Sequence, residues 1–223
     1  MRTHTKESQS NLTPEMAIQF LKEGNQRFVN NLKMNRNLLQ QVNETSQGQH
    51  PFAIILSCID SRTSAELIFD QGLGDIFSAR IAGNVVNDDI LGSMEFATKL
   101  AGAKLVVVLG HTNCGAVKGA CDGAKLGHLT GLLNKIKPSV DAIKYDGERS
   151  SKNMEFVEKV AEENVHRMTD YVRERSEILD EMINNGQVGI IGGMYNVETG
   201  IVDFYDSFAQ NSRLENEESV SQH

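Results

Sequence analysis

The sequence predicts an α/β fold: a mostly parallel sheet of four strands plus an antiparallel edge strand, with helices on both faces and an N-terminal helical arm. Three observations lead there. Short runs dense in Val, Ile and Leu recur at 52–56, 105–109 and 188–191, without the polar alternation of a half-exposed strand. Strands read this way when helices cover the sheet from either side. Segments of helical spacing separate the runs, which is the alternation that builds parallel sheets. Finally, reactive side chains follow strand ends, with Cys58, Asp60 and Arg62 after one run and His111 and Cys114 after another. In open α/β sheets, binding groups gather beyond the carboxyl ends of strands.

Residues 1–12 are polar and read as a flexible arm. Thr13 and Pro14 supply an N-cap and a first-turn proline for a helix to about residue 31, with Ala17, Phe20, Leu21 and Phe28 on one face. The Gln/Asn-rich segment 35–50 is expected to be irregular in part. Then come strand 52–57, helix 63–71, strand 76–81, helix 88–102, strand 105–109 and helix 115–122. Helical patterns cover 129–145 and 153–185, and 188–192 is the fourth strand. Val197-Glu198-Thr199-Gly200 reads as a turn into the antiparallel edge strand 201–205. Residues 13–210 are expected to form a single domain, followed by a mobile acidic tail over 211–223.

Composition narrows the function. The chain has 223 residues, a net charge of −8 and a pI near 5.3. That balance argues against a nucleic-acid partner held by phosphate neutralisation. No apolar stretch is long enough to span a bilayer and the polar start lacks a signal-peptide core, so the expectation is no membrane and a cytoplasmic location. Three cysteines are too few and too odd a number for a disulfide framework, which turns attention to metal or catalytic use.

Cys58, His111 and Cys114 are the candidate ligands. His111 and Cys114 are three apart and can face one point from a turn. If strands 52–57 and 105–109 are neighbours, Cys58 joins them. Two thiolates and an imidazole suit zinc, and three protein ligands with one open position mark catalytic sites. Against this stands the reading of a strand-end cysteine as a small buried hydrophobe, which is the one adopted for Cys121. The glycines of GHTNCGAVKG do not make a phosphate loop, because Ala116-Val117 stand where Lys-Ser/Thr would be. Asp60 could itself close the metal's fourth position. Arg62, always protonated, can hold that carboxylate off with two parallel hydrogen bonds and keep the site open. The alternative is a solvated Asp–Arg pair of little consequence.

The motifs C-I-D-S-R at 58–62 and H-T-N-C at 111–114 resemble the paired signature of the β-class carbonic anhydrases, most densely over residues 49–120. The resemblance implies zinc-dependent reversible hydration of CO2 to bicarbonate through zinc-bound hydroxide, with one Zn2+ per chain on Cys58, His111 and Cys114. Asp60 and Arg62 would be the catalytic dyad. It also implies a homo-oligomer with active sites at the dimer interface, the helix from Pro14 packing on the partner. By the same resemblance Gln49, Phe77, Ala82, Gly83 and Phe96 would line the substrate site, with Gln49 reaching the neighbouring subunit and backbone amides near Gly83 polarising the CO2 oxygens. Arg80 matches a family arginine, and Phe96 stands where plant-like members often carry a tyrosine. Ile55 and Thr63 replace the tryptophan and valine of the bicarbonate-inhibited subtype, which places the chain closer to the plant-like one. A related zinc hydrolase of CS2 or COS, and a non-catalytic zinc-stabilised scaffold, are the alternatives.

Overall fold

A computed structural model describes residues 3–205. The chain runs α1 (Lys6–Ser10), α2 (Pro14–Val29), α3 (Leu38–Thr45), β1 (Ala53–Ser57), α4 (Ala65–Ile68) and β2 (Ile76–Arg80). A 3-10 turn (Ala82–Asn84), α5 (Asp88–Glu95) and a π turn (Phe96–Leu100) lead to β3 (Leu105–His111). Then come α6 (Gly115–Cys121), α7 (Gly127–Ala142), α8 (Met154–Arg175), α9 (Glu177–Asn184), β4 (Gly189–Tyr195) and β5 (Val202–Phe204).

The five strands lie in the order β2-β1-β3-β4-β5, with β5 antiparallel to β4 and the other pairings parallel. Every residue of β1, β3 and β4 is buried, whereas β2 at the rim alternates. This is the burial that continuous Val/Ile/Leu runs require. The period of two sends Ile54 and Leu56 with Val106 and Val108 into one core, beneath α5 to α9. Ala53 and Ile55 join Leu105, Val107 and Leu109 in the other, against α2 and α4. A side chain at Gly110 would collide with Val165 and Met194, its Cβ lying 2.6 Å from each, so glycine there lets α8 approach the sheet.

Several elements differ from expectation. The arm expected to be loose over 1–12 carries α1, capped reciprocally by Thr5 and Ser8. Buried Gln9 ties it down by donating to Pro51 O at 2.7 Å, just before β1, and to Ala101 O at 2.8 Å, just after the π turn. Within 35–50, buried Gln41 anchors α3 by accepting from Leu73 N–H at 3.2 Å. Only Ala65–Ile68 of the expected 63–71 helix forms, and 88–102 changes from α to π winding at Phe96. The long helix over 153–185 breaks at Ser176, whose hydroxyl accepts from Leu179 N–H at 3.2 Å and donates to Glu95 at 2.6 Å. A serine that caps a new helix favours the break over continuation. Strands β3 and β4 run past the apolar stretches that announced them, to His111 and Tyr195. The tail over 211–223 and the domain end at 210 lie outside the described residues.

Candidate metal centre

Sheet register assembles the site. β1 and β3 pair with Ser57 opposite Leu109, so Cys58, the first residue past β1, comes beside Gly110, and His111 ends β3. Thr112 N–H then donates to Tyr195 O at 2.9 Å, and the chain reverses at Asn113, which holds a left-handed φ of 59°. That reversal sets Cys114 immediately before α6. The ligating atoms of Cys58, His111 and Cys114 lie within 4.8 Å of one another, and all three residues are buried. Ligand atoms on tetrahedral zinc sit roughly 3.5–4 Å apart, so little adjustment is needed.

His111 provides the clearest test of whether the donor set fits a metal. Its Nδ1 meets Thr112 O at 2.9 Å, which fixes the ring, while Nε2 is buried with no hydrogen-bond partner among the described residues. A buried polar nitrogen without a partner is costly, and a metal ion satisfies it. The sulfurs are prepared as well. The Cys58 thiol is lowered to about 4, chiefly by the hydrogen bond with Cys114, against burial, and with help from His111 and the Gly83 amide. Sharing that proton with Cys58, together with burial, pushes Cys114 up. The pair thus carries one negative charge readily, and a cation is the natural agent to draw off the second proton.

Asp60 stands at the rim of this cluster. Arg62 donates from Nε to Oδ1 at 2.9 Å and from Nη2 to Oδ2 at 2.8 Å, and its backbone N–H adds a third bond at 3.0 Å. The guanidinium holds the Asp60 carboxyl well below the usual carboxylate range. Two further residues brace the turn that carries them. Arg80 donates to Cys58 O at 3.0 Å and to Asp60 O at 2.6 Å, and the buried Thr63 hydroxyl lies 2.9 Å from each of the same two carbonyls.

The candidate substrate residues divide into two groups. Ala82 and Gly83 adjoin the cluster, and the Gly83 amide donates to Cys58 Sγ at 3.3 Å. A left-handed φ of 67° turns it there, and a Cβ would lie 2.6 Å from Ile136 Cδ1 and 3.2 Å from Ala116 Cβ, so the position favours glycine. Gln49, Phe77 and Phe96 are not brought to this chain's own cluster. Gln49 is exposed and precedes β1, at the opposite end of that strand from Cys58. The Phe77 and Phe96 rings meet edge-on at 6.1 Å and line a groove of about 730 Å3 along the rim strand β2, to which none of the three ligand residues contributes.

Sequence reasoning missed Asn164, wholly buried on α8. It donates to Gly83 O at 2.9 Å and so fixes the peptide turn that serves the Cys58 sulfur. Nothing local signals this, because the two residues are 81 positions apart. The bracing role of Thr63 had a weak signal in its place directly after Arg62.

Comparisons with known proteins bear on the family of the chain. Residues 53–202 match the family model described as carbonic anhydrase. The chain is 37% identical over 198 residues to carbonic anhydrase 2 of Mycobacterium tuberculosis, covering 85% of this chain and 92% of that protein. It is 32% identical over 199 residues to the carbonic anhydrase of Mycolicibacterium smegmatis, covering 86% and 94%. Among solved structures, it resembles a tetrameric β-carbonic anhydrase of Sordaria macrospora with a TM-score of 0.63 and 25% identity, covering 73% of this chain and 84% of the other.

Proposed function

The chain belongs to the β-carbonic anhydrase family, and from that premise we propose that Cys58, His111 and Cys114 hold one zinc ion per chain, with Asp60 and Arg62 as its catalytic dyad. Its activity is that of a carbonic anhydrase, the reversible hydration of CO2. The observation that carries the zinc assignment is the unpartnered, buried His111 Nε2 facing two close sulfurs.

Bound there, zinc supplies the Lewis acidity that makes water a nucleophile near neutral pH. The protein's own groups do the rest. Arg62 takes both lone pairs of Asp60 Oδ1, through its backbone N–H and Nε, and one of Oδ2, which restrains the carboxylate from closing the site and leaves Oδ2 a hydrogen-bond acceptor toward the attacking water. The Gly83 amide, held by Asn164, offsets charge on the Cys58 sulfur. Two anionic sulfurs donate more charge than imidazoles would, so activity rises toward mildly alkaline pH.

Gln49, Phe77 and Phe96 serve an active site shared with a second copy, the reading favoured by their distance from this chain's own cluster. A homo-oligomer with sites at the dimer interface follows, and the Sordaria relatives are tetrameric. We place the chain with the plant-like subtype. Ile55 is fully buried in the sheet, and both Thr63 and Arg80 are already engaged with the Cys58 and Asp60 carbonyls, which leaves little provision for an inhibitory bicarbonate. No described helix is long and apolar enough to cross a membrane, and the three free cysteines suit a reducing compartment such as the cytoplasm.

The test is stopped-flow CO2 hydration with zinc content measured alongside. Wild type turns over CO2 with one zinc per chain, and Cys58→Ala loses both. A Cys58→Ala variant that kept its zinc would remove the assignment.

A further inference from the structure

The turn that presents His111 and Cys114 has an unusual anchor. Asn113 lies between the two and takes a left-handed backbone, φ 59°, which asparagine tolerates better than other non-glycine residues and which neighbouring hydrogen bonds can hold in one geometry. Four hydrogen bonds surround the turn. Thr112 is fixed to the sheet from both sides, its N–H donating to Tyr195 O at 2.9 Å and its hydroxyl accepting from Val197 N–H at 3.0 Å. Lys118 reaches the Asn113 side-chain oxygen. The Asn113 peptide N–H itself goes to Glu158 Oε1 at 2.8 Å, across 45 residues of chain.

Glu158 is placed to act. It sits in the second turn of α8, between Val157 and Val160–Ala161, which are buried in the core below the sheet. Its backbone is therefore held by packing independent of the metal site. Its Oε2 is buried and has no hydrogen-bond partner among the described residues. Burial raises the Glu158 carboxyl, opposed by the Asn113 N–H and His111. A half-buried carboxylate with one oxygen unsatisfied is unfavourable for the fold alone, so stability gives it little reason to stand there.

We propose that Glu158 is a positioning residue for the metal centre: by accepting the Asn113 N–H it holds the left-handed reversal that brings His111 Nε2 and Cys114 Sγ to one point before metal arrives. This rests on the zinc reading of Cys58, His111 and Cys114. The residue touches neither metal nor substrate. Its effect is that the apo chain need not order the turn when it binds metal, and residues supporting a first ligand shell typically contribute 10- to 100-fold in affinity.

The hydrogen bond needs an oxygen, not a charge, and that makes the inference testable. Zinc affinity is measured by chelator competition on the full chain for wild type, Cys58→Ala, Glu158→Gln and Glu158→Ala, with Co(II) absorption spectra of each. Alanine suits a helix interior, so α8 itself is retained in the last variant. Glu158→Gln, which keeps an oxygen at that position, stays within about threefold of wild type. Glu158→Ala binds roughly 10- to 100-fold more weakly and shows a broadened Co(II) spectrum from a loosened ligand set. An alanine variant as tight as wild type, or a glutamine variant as weak as alanine, overturns the positioning role. Should Glu158→Ala fail to fold, the glutamine variant still decides, since loss of affinity there contradicts the claim and retention with an unchanged spectrum supports it. The zinc reading fails separately, if Cys58→Ala binds as tightly as wild type.

Discussion

Two aspartates, ten residues apart in sequence, meet arginines in opposite ways. Asp60 is paired with Arg62 alone, and their side chains are 19% and 45% exposed. Asp70 is 5% exposed and meets two arginines, Arg27 Nε on Oδ2 and Arg36 Nη1 on Oδ1, each at 2.6 Å. The Met34 amide adds a third bond at 3.2 Å, and Arg36 also reaches the Asp70 carbonyl. One carboxylate is closed on every side and ties the 27–36 segment to the end of α4. The other also accepts three hydrogen bonds, all from Arg62, but stays partly exposed at the rim of the ligand cluster. Two similar ion pairs thus differ in burial and in how many residues hold them, and chemistry belongs to the more accessible one.

That contrast can be broken at several points. The largest effect is metal removal: chelation takes CO2 hydration to background and zinc restores it, while the Asp70 corner keeps the fold, read by circular dichroism before and after. Next is Asp70→Ala, which leaves two arginines without their shared partner and lowers unfolding stability by about 3 kcal/mol in denaturant melts, at the low end for a broken buried pair. Its activity per folded, zinc-loaded chain stays within about twofold. Arg62→Ala does the reverse. It keeps its zinc and nearly its melting temperature but loses about 100-fold in turnover, a loss typical of a misplaced acid–base group, because Asp60 is then free to approach the metal. Full activity in Arg62→Ala would falsify the gating role.

Acid separates the two corners more gently. Arg62 lowers the Asp60 carboxyl. For Asp70, burial acts to raise the carboxyl, but hydrogen bonds from Arg27 and Arg36 outweigh it and the net shift is downward. Folded values below the unfolded carboxylate value of about 3.9 give stability that is present above that pH and lost as pH falls through the folded values. These pairs therefore contribute fully from pH 7 to about 5, and both Asp60→Asn and Asp70→Asn flatten the acid limb of the melting curve below about pH 4, Asp60→Asn the more because its carboxyl is lowered further. The smallest effect is at Gln49, where alanine lowers turnover only several-fold and leaves zinc unchanged. A Gln49→Ala chain as active as wild type would remove that residue from the shared site.

Much of this was legible in sequence because the signals were local. The Val/Ile/Leu runs gave three central strands, and the alternation Cys58, Asp60, Arg62 described a turn whose hydrogen bonds span two residues. What stayed hidden depends on distance along the chain. The capture of α1 by Gln9 needs carbonyls 42 and 92 residues away, and the Gly83 amide serves a sulfur 25 residues back. Asn164 is hidden for the same reason. The break at Ser176 hinges on a hydroxyl that both caps α9 and reaches Glu95.

The central claim is most directly tested by zinc-edge X-ray absorption on the wild-type protein at mildly alkaline pH. Two sulfurs at about 2.3 Å and two lighter atoms near 2.0–2.1 Å, at one zinc per chain, are the expected result. A shell with one sulfur or none, or a zinc that binds elsewhere and leaves both thiols reactive, would contradict it.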